Sequence, residues 1–152
     1  MVALLDVNLL VALFDPAHCH HDPAHDWVGA HRGYGWATCP LTENGLVRVL
    51  ANPVYPGRGT TVRDAIDRLE RFRASGDHTF WADSVTLRDG ERFLPRHIGG
   101  HRQLTDGYLL ALAVENGGRL ATFDRGIPLA SVRDACPENL LVVGGYVSEP
   151  SY

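Results

Sequence analysis

Short apolar runs alternate along the chain with longer segments in which apolar residues recur at helical spacing. The run VALL at residues 2–5 is apolar at every position, which is typical of a short strand buried on both faces. The predicted strands are 2–5, 35–38, a short strand within 80–88 that a return segment could follow, 119–124 and 140–145. The predicted helices are 8–15, 26–32, 40–52, 61–74 and 105–118, with loops at 16–26, 53–60 and 94–101.

This alternation predicts an α/β fold. Strands that alternate with helices form a parallel sheet through right-handed crossovers, and the helices then cover both faces of the sheet. The chain has 152 residues, 45% of them hydrophobic, and no internal repeat or linker interrupts the pattern. We therefore expect residues 1–152 to form one domain with a full core.

Four acidic residues lie at positions that this fold should bury. Asp6 and Asp124 end apolar strands. Glu43 and Asp106 each begin a helix on its apolar face, because apolar residues follow both at plus three, plus four and plus seven. A lone buried carboxylate costs roughly several kcal/mol, so it needs a cation or a raised pKa.

The fold brings these acids to one place. In open parallel sheets, sites form beyond the carboxyl ends of the strands, where all four acids are expected. Two carboxylates about 4 Å apart repel by roughly 4 kcal/mol at an effective dielectric near 20, and a divalent cation reverses that repulsion. Oxygen ligands favour Mg²⁺, with Mn²⁺ as the alternative. Taken singly, each acid also has a simpler explanation, as a helix-dipole partner or as a turn former after a strand.

The segments that carry these acids resemble a known family. DVNLLVALFD, TENGLVRVL, LTDGYLLALA and LATFDRG are similar, in order and spacing, to the four acidic motifs of the PIN domain, and more narrowly to those of VapC toxins. The resemblance implies a three-layer α/β/α sandwich with a central parallel sheet. It also implies a magnesium-dependent endoribonuclease acting on tRNA or rRNA, a VapB-type antitoxin partner and a homodimer.

The same resemblance assigns roles to individual residues. The implied catalytic set is Asp6, Glu43, Asp106 and Asp124, supported by Asn8 and Thr122. Asp6 and Asp106 would hold the metal ion, and Asp124 would be a further ligand or a partner of the ligands. Glu43 would orient or deprotonate the attacking water.

Charge and composition limit the other classes of function. The net charge of −4 argues against a protein that coats nucleic acid over its whole surface. Local contacts with RNA phosphates remain possible, and Arg58 and Arg102 are the candidates near the predicted site. The sequence contains no lysine, which disfavours a phosphotransfer domain that clamps phosphate with lysine. A PIN-like module that binds RNA or a partner without cutting is the remaining alternative.

Two further features are assigned ordinary explanations. Cys19, Cys39 and Cys136 are scattered and odd in number, as expected for reduced thiols in a cytoplasmic protein without a membrane span. The histidine-rich segment 18–25 has the composition of a zinc site but no closed ligand set, so solvated loop histidines are the favoured interpretation.

Overall fold

A five-stranded, fully parallel sheet forms the centre of the fold. The computed structural model describes residues 1–57 and 59–144. The strands are β1 (Ala3–Leu5), β2 (Trp36–Thr38), β3 (His78–Phe80), β4 (Arg119–Thr122) and β5 (Leu140–Val142). Their order is β3-β2-β1-β4-β5, and every neighbouring pair is parallel, which confirms the predicted sheet.

Helices cover both faces of the sheet. They are α1 (Val7–Phe14), α2 (His21–His31), α3 (Pro40–Leu50), α4 (Val62–Ala74) and α5 (Leu104–Glu115). Helices α1 to α4 pack on the face that carries Leu5 and Trp36, and α5 packs on the face that carries Leu4 and Leu120. The predicted three-layer α/β/α sandwich is thereby confirmed. None of the helices in the described segments is long and apolar enough to cross a membrane.

The histidine-rich segment differs from its prediction as a loop over 16–26. Helix α2 begins at His21, five residues earlier than the sequence indicated. The His21 Nδ1 atom lies 2.8 Å from the carbonyl oxygen of Ala12, and His25 Nε2 lies 3.0 Å from that of Leu13. These carbonyls belong to the last turn of α1, where no intrahelical donor remains. Contacts with α1 therefore stabilise a turn of α2 that local periodicity does not reveal.

The third strand also lies earlier than predicted. It was expected within 80–88, but β3 spans His78–Phe80 and pairs with β2 so that His78 lies opposite Trp36. Residues 81–88 contain no strand, so the return segment is absent. Trp81 is apolar and buried because it packs on the α5 side of the sheet, which mimics a strand signal. In the predicted strand 140–145, Gly145 lies outside the described residues.

A glycine pair returns the chain from α5 to the sheet. Gly117 has φ = 63°, the left-handed conformation that glycine adopts without steric cost, and it confirms the predicted glycine C-cap. A Cβ atom on Gly118 would lie 2.6 Å from the backbone oxygen of Val2 and 2.5 Å from a ring carbon of Trp81. Glycine at this position therefore allows β4 to start beside β1, which aligns the ends of the two strands.

We predict that Gly118→Ala lowers the free energy of unfolding by about 2–3 kcal/mol, because backbone atoms cannot move aside for the added methyl group. Gly29→Ala is the matched control, since a Cβ on this exposed glycine of α2 would meet no atom within 4 Å. The control is expected to be neutral or to stabilise by up to about 1 kcal/mol. Urea denaturation measures both values, and equal effects of the two substitutions would contradict the steric account.

Candidate active site

Asp6 lies between β1 and α1 at the carboxyl edge of the sheet. It is buried, with 5% of its surface exposed, and it is the N-cap residue of α1. Its backbone N–H donates to the Ala121 carbonyl of β4 over 2.9 Å, and its Oδ1 atom accepts from the Val7 N–H over 2.7 Å. The side chain is thus held at the helix N-terminus, where a negative charge is favourable.

The hydroxyl of Thr122 joins several predicted site residues. This fully buried residue ends β4, and its Oγ donates to Oδ2 of Asp6 over 2.7 Å. The same oxygen accepts from Asn8 Nδ2 over 3.2 Å and from the Asp124 N–H over 3.0 Å. Asn8 in turn accepts the Phe123 N–H over 3.3 Å. One hydroxyl therefore connects the end of β1, the start of α1 and the chain that leaves β4.

Asp124 forms the turn that follows β4. Its Oδ1 atom accepts the N–H of Gly126 over 2.7 Å, which is the turn-forming role expected of an aspartate at this position. Asp124 also acts on its neighbours, since its negative charge contributes to raising the pKa of Asp6 and of Asp106. Asp124 therefore forms the turn and also carries one of the charges of the aspartate cluster.

Asp106 is half-buried in the first turn of α5, close enough to Asp6 and Asp124 to interact with their charges. Its pKa is raised to about 7, first by burial, then by the charges of Asp6 and Asp124 and by a hydrogen bond with Asp124. Burial also raises the pKa of Asp6, although hydrogen bonds from Thr122 and Val7 oppose the rise. The structure thus brings together three of the four predicted acids, in an arrangement that disfavours ionising all three.

Glu43 lies in the first turn of α3, at the end of the neighbouring strand β2. Its Oε1 atom accepts a 2.7 Å hydrogen bond from the hydroxyl of Thr38. It lines a cavity of about 370 Å³ together with α4 residues, including Arg73, and Phe80 of β3. In the described part of the chain, no hydrogen bond joins Glu43 to the three aspartates. The structure therefore brings the three aspartates together, whereas it places Glu43 at the same edge of the sheet, beside Thr38 and the residues of α4.

Thr38 and His78 are polar residues beside Glu43 that the sequence reasoning missed. Thr38 is fully buried, and its Oγ lies 2.7 Å from Nε2 of His78. A signal for Thr38 was present, because a threonine ends the apolar run WAT just as Thr122 ends the run LAT. No comparable signal marked His78, since its partner is 40 residues away in the sequence.

Of the two predicted phosphate-binding arginines, Arg102 lies within the described residues. Arg102 is exposed in a 3₁₀ turn just before α5, and it lines a cavity of about 270 Å³ with Gly99 and Gly100. Arg58 lies outside the described residues. On α4, Arg68 donates to the Phe14 carbonyl and stacks over the ring of that residue, so it serves packing rather than a free phosphate site.

The donor atoms of the aspartates form an open set rather than a closed cage. Within residues 1–57 and 59–144, no three His, Cys, Asp or Glu side chains form a ready-made metal-binding group, and this includes the histidine-rich segment. Mg²⁺ is commonly held by one or two carboxylates and keeps several waters, so an open set suits it better than it suits zinc. The oxygen donors and their mutual repulsion fit a hard divalent cation.

Known proteins are similar to this chain in sequence. Residues 3–133 match the PIN domain family. Ribonuclease VapC38 of Mycobacterium tuberculosis is 47% identical over 143 residues, covering 93% of this chain and 99% of the relative. Ribonuclease VapC44 of the same species is 42% identical over 140 residues, covering 92% and 98%. The relatives are thus matched over nearly their whole length.

A solved structure shares the fold at low sequence identity. The crystal structure of M. tuberculosis VapC20, described as a toxin that cleaves the sarcin-ricin loop, superposes with a TM-score of 0.57 at 15% identity. The match covers 77% of this chain and 85% of VapC20. The match to the PIN domain and the identity of 42–47% to the two ribonucleases confirm the resemblance seen in the acidic motifs: the chain belongs to the PIN-domain family and, within it, to the VapC ribonucleases.

Proposed function

We propose that this VapC-type chain is a magnesium-dependent endoribonuclease, the toxin of a toxin–antitoxin pair, that cleaves tRNA or rRNA. The observation that carries the proposal is the cluster of Asp6, Asp106 and Asp124, in which burial, and then the charges of the other two aspartates, raise the pKa of Asp106 to about 7. Such a cluster is unfavourable by itself and becomes favourable around a divalent cation. Identity of 42–47% to ribonucleases of the VapC group supports the reaction class.

Asp6 and Asp106 would hold the ion, with Asp124 as a third ligand or as a hydrogen-bonding partner. When bound, Mg²⁺, or Mn²⁺ in its place, supplies Lewis acidity toward the scissile phosphate and lowers the pKa of a water molecule. Thr122 and the Val7 N–H fix both oxygens of Asp6, so this ligand needs little rearrangement. Asn8 helps to keep the Thr122 hydroxyl in place by donating a hydrogen bond to its oxygen.

The remaining residues act on water and on the RNA backbone. Glu43 would orient the attacking water and accept its proton, as a general base at the end of β2. Arg102, and Arg58, which lies between Leu50 and Val62 in the sequence, would contact phosphates of the RNA backbone. The VapC relationship supports a VapB-type antitoxin as partner. We further propose that the chain acts as a homodimer in the cytoplasm.

We predict that Asp106→Asn reduces RNA cleavage in the presence of Mg²⁺ by on the order of 100-fold or more, because the ion loses an anionic ligand. Asp26→Asn is the control, since Asp26 is exposed on α2 and carries the same chemical change. Cleavage of total RNA, followed by mapping of the 5′ ends, measures the effect and identifies the target. A fully active Asp106→Asn enzyme would remove the basis of the metal-site assignment. A wild-type chain that binds RNA but does not cut it would instead favour the non-catalytic PIN-like module.

Metal affinity is expected to rise with pH. An ion must displace the proton that Asp106 holds below its pKa of about 7, and the deprotonated fraction increases about tenfold between pH 6 and pH 8. Calorimetric titration with Mg²⁺ or Mn²⁺ at these two pH values should give about a tenfold difference in affinity. Asp106→Asn should remove most of the pH dependence. If the affinity of the wild-type protein for the metal ion does not change over this pH range, metal binding is not coupled to the deprotonation of Asp106.

The stability of the metal-free protein should fall as pH rises. The folded-state pKa of Asp106 lies above its ordinary value, so the folded state binds more protons than the unfolded state, and this stability is lost as pH rises through about 7. After allowance for solvent screening, Asp106→Asn should gain about 1–2 kcal/mol relative to wild type between pH 5 and pH 8. Urea denaturation in EDTA measures this gain, and a constant difference between the two proteins would disprove it.

A further inference from the structure

Two hydrogen bonds in series link Glu43 of α3, through Thr38 of β2, to His78 of β3. The Thr38 hydroxyl donates to Oε1 of Glu43 over 2.7 Å, and Nε2 of His78 lies 2.7 Å from the same hydroxyl oxygen. Thr38 ends β2 and is fully buried, whereas His78 begins β3 and is half-buried. The three groups therefore form a line from the sheet edge to the first turn of α3.

The number of protons fixes the direction of this chain. A carboxylate only accepts hydrogen bonds, and a threonine hydroxyl has one proton to donate. Thr38 can bind Glu43 and His78 together only if its proton goes to Glu43 and Nε2 of His78 carries a proton for Thr38. A histidine protonated only at Nδ1 would compete with Glu43 for that single proton.

The ring of His78 is held in the orientation that this chain needs. His78 and Trp36 are opposite each other in the β2–β3 register, and their ring centroids are 4.5 Å apart at an angle of 60°. Trp36 is itself buried and anchored, since its ring nitrogen donates to the Gly76 carbonyl over 3.0 Å. The imidazole therefore rests on a rigid neighbour, and its Nε2 atom reaches Thr38 without further adjustment.

The arrangement parallels the one around Asp6. In both places a buried threonine at the end of a strand donates its hydroxyl proton to an acid, over 2.7 Å in each case. Asn8 supplies a proton to the oxygen of Thr122, and His78 occupies the corresponding place for Thr38. Glu43 differs in that it lines an open cavity of about 370 Å³, so its Oε2 atom can still accept a proton from water.

We propose that Thr38 and His78 are positioning residues for Glu43: they fix Oε1 and so direct Oε2 toward the attacking water. This assignment rests on the proposed function, because it supposes that Glu43 takes part in RNA cleavage. The hydrogen-bond chain itself does not depend on activity and can be measured separately.

The tautomer of His78 tests for this chain of hydrogen bonds without the need for RNA. Long-range ¹H–¹⁵N spectra distinguish a proton on Nε2 from one on Nδ1, and the signal of His78 is assigned by its loss in His78→Gln. We expect the Nε2–H form in wild type and in Thr38→Ser, which keeps the hydroxyl. Thr38→Val should change the His78 signal because the acceptor is gone. An Nδ1–H tautomer in wild type would overturn the proposal.

Single-turnover cleavage with saturating RNA tests whether Thr38 and His78 affect the cleavage rate through Glu43. Thr38→Val and His78→Phe should each reduce the cleavage rate by about 3- to 30-fold with unchanged RNA affinity, the size expected for one lost hydrogen bond. Thr38→Ser and His78→Gln retain the needed groups and should stay within about threefold of wild type. In a Glu43→Gln background, Thr38→Val should cause no further loss.

The outcomes separate the possible failures. If Thr38→Ser loses as much rate as Thr38→Val, or if Thr38→Val lowers the rate equally in the Glu43→Gln background, the threonine acts through packing and the proposal is wrong. If the wild-type chain cleaves no RNA, the proposed function fails, and the spectra then decide alone whether His78 and Thr38 position Glu43.

Discussion

The hydroxyl of Thr122 is the contact on which the site depends. It donates to Asp6 and accepts from Asn8 and from the backbone of Asp124, so a single buried oxygen sets the relative positions of three site residues. This contact needs the ends of β1 and β4 to lie side by side. The parallel pairing of those strands and the glycine at position 118 provide that alignment. Packing far from the acids therefore determines where their oxygens lie.

The aspartate cluster is a compromise between stability and chemistry. Burial and mutual repulsion raise the pKa of Asp106 to about 7, which means that the metal-free site resists full ionisation at neutral pH. Hydrogen bonds from Thr122 and the Val7 N–H oppose the rise at Asp6. The fold thus stabilises the carboxylate of Asp6 by hydrogen bonds but leaves the charge of Asp106 uncompensated. A divalent cation would remove the remaining electrostatic repulsion. Perturbed carboxylates of this kind are typical of functional sites.

Much of the fold and part of the site could be predicted from the sequence. Apolar runs located the strands next to Asp6 and Asp124, and helical periodicity placed Asp106 on the buried face of α5, because both signals are local. The start of α2 and the position of β3 were missed, since they depend on contacts of His21 with α1 and on pairing of His78 with β2. The link from His78 through Thr38 to Glu43 joins residues that are distant in sequence, and no local pattern contains it. The resemblance named the reaction class, which spacing alone did not.

The central claim is that Asp6, Asp106 and Asp124 bind a divalent cation, and that the chain needs this cation to cut RNA. The most direct measurement follows cleavage of a defined RNA by the purified chain, first with Mg²⁺, then with EDTA, and finally with Mg²⁺ restored in excess. The account predicts cleavage only in the first and third conditions. Cleavage that continues unchanged in EDTA, or its absence in all three conditions, would contradict it.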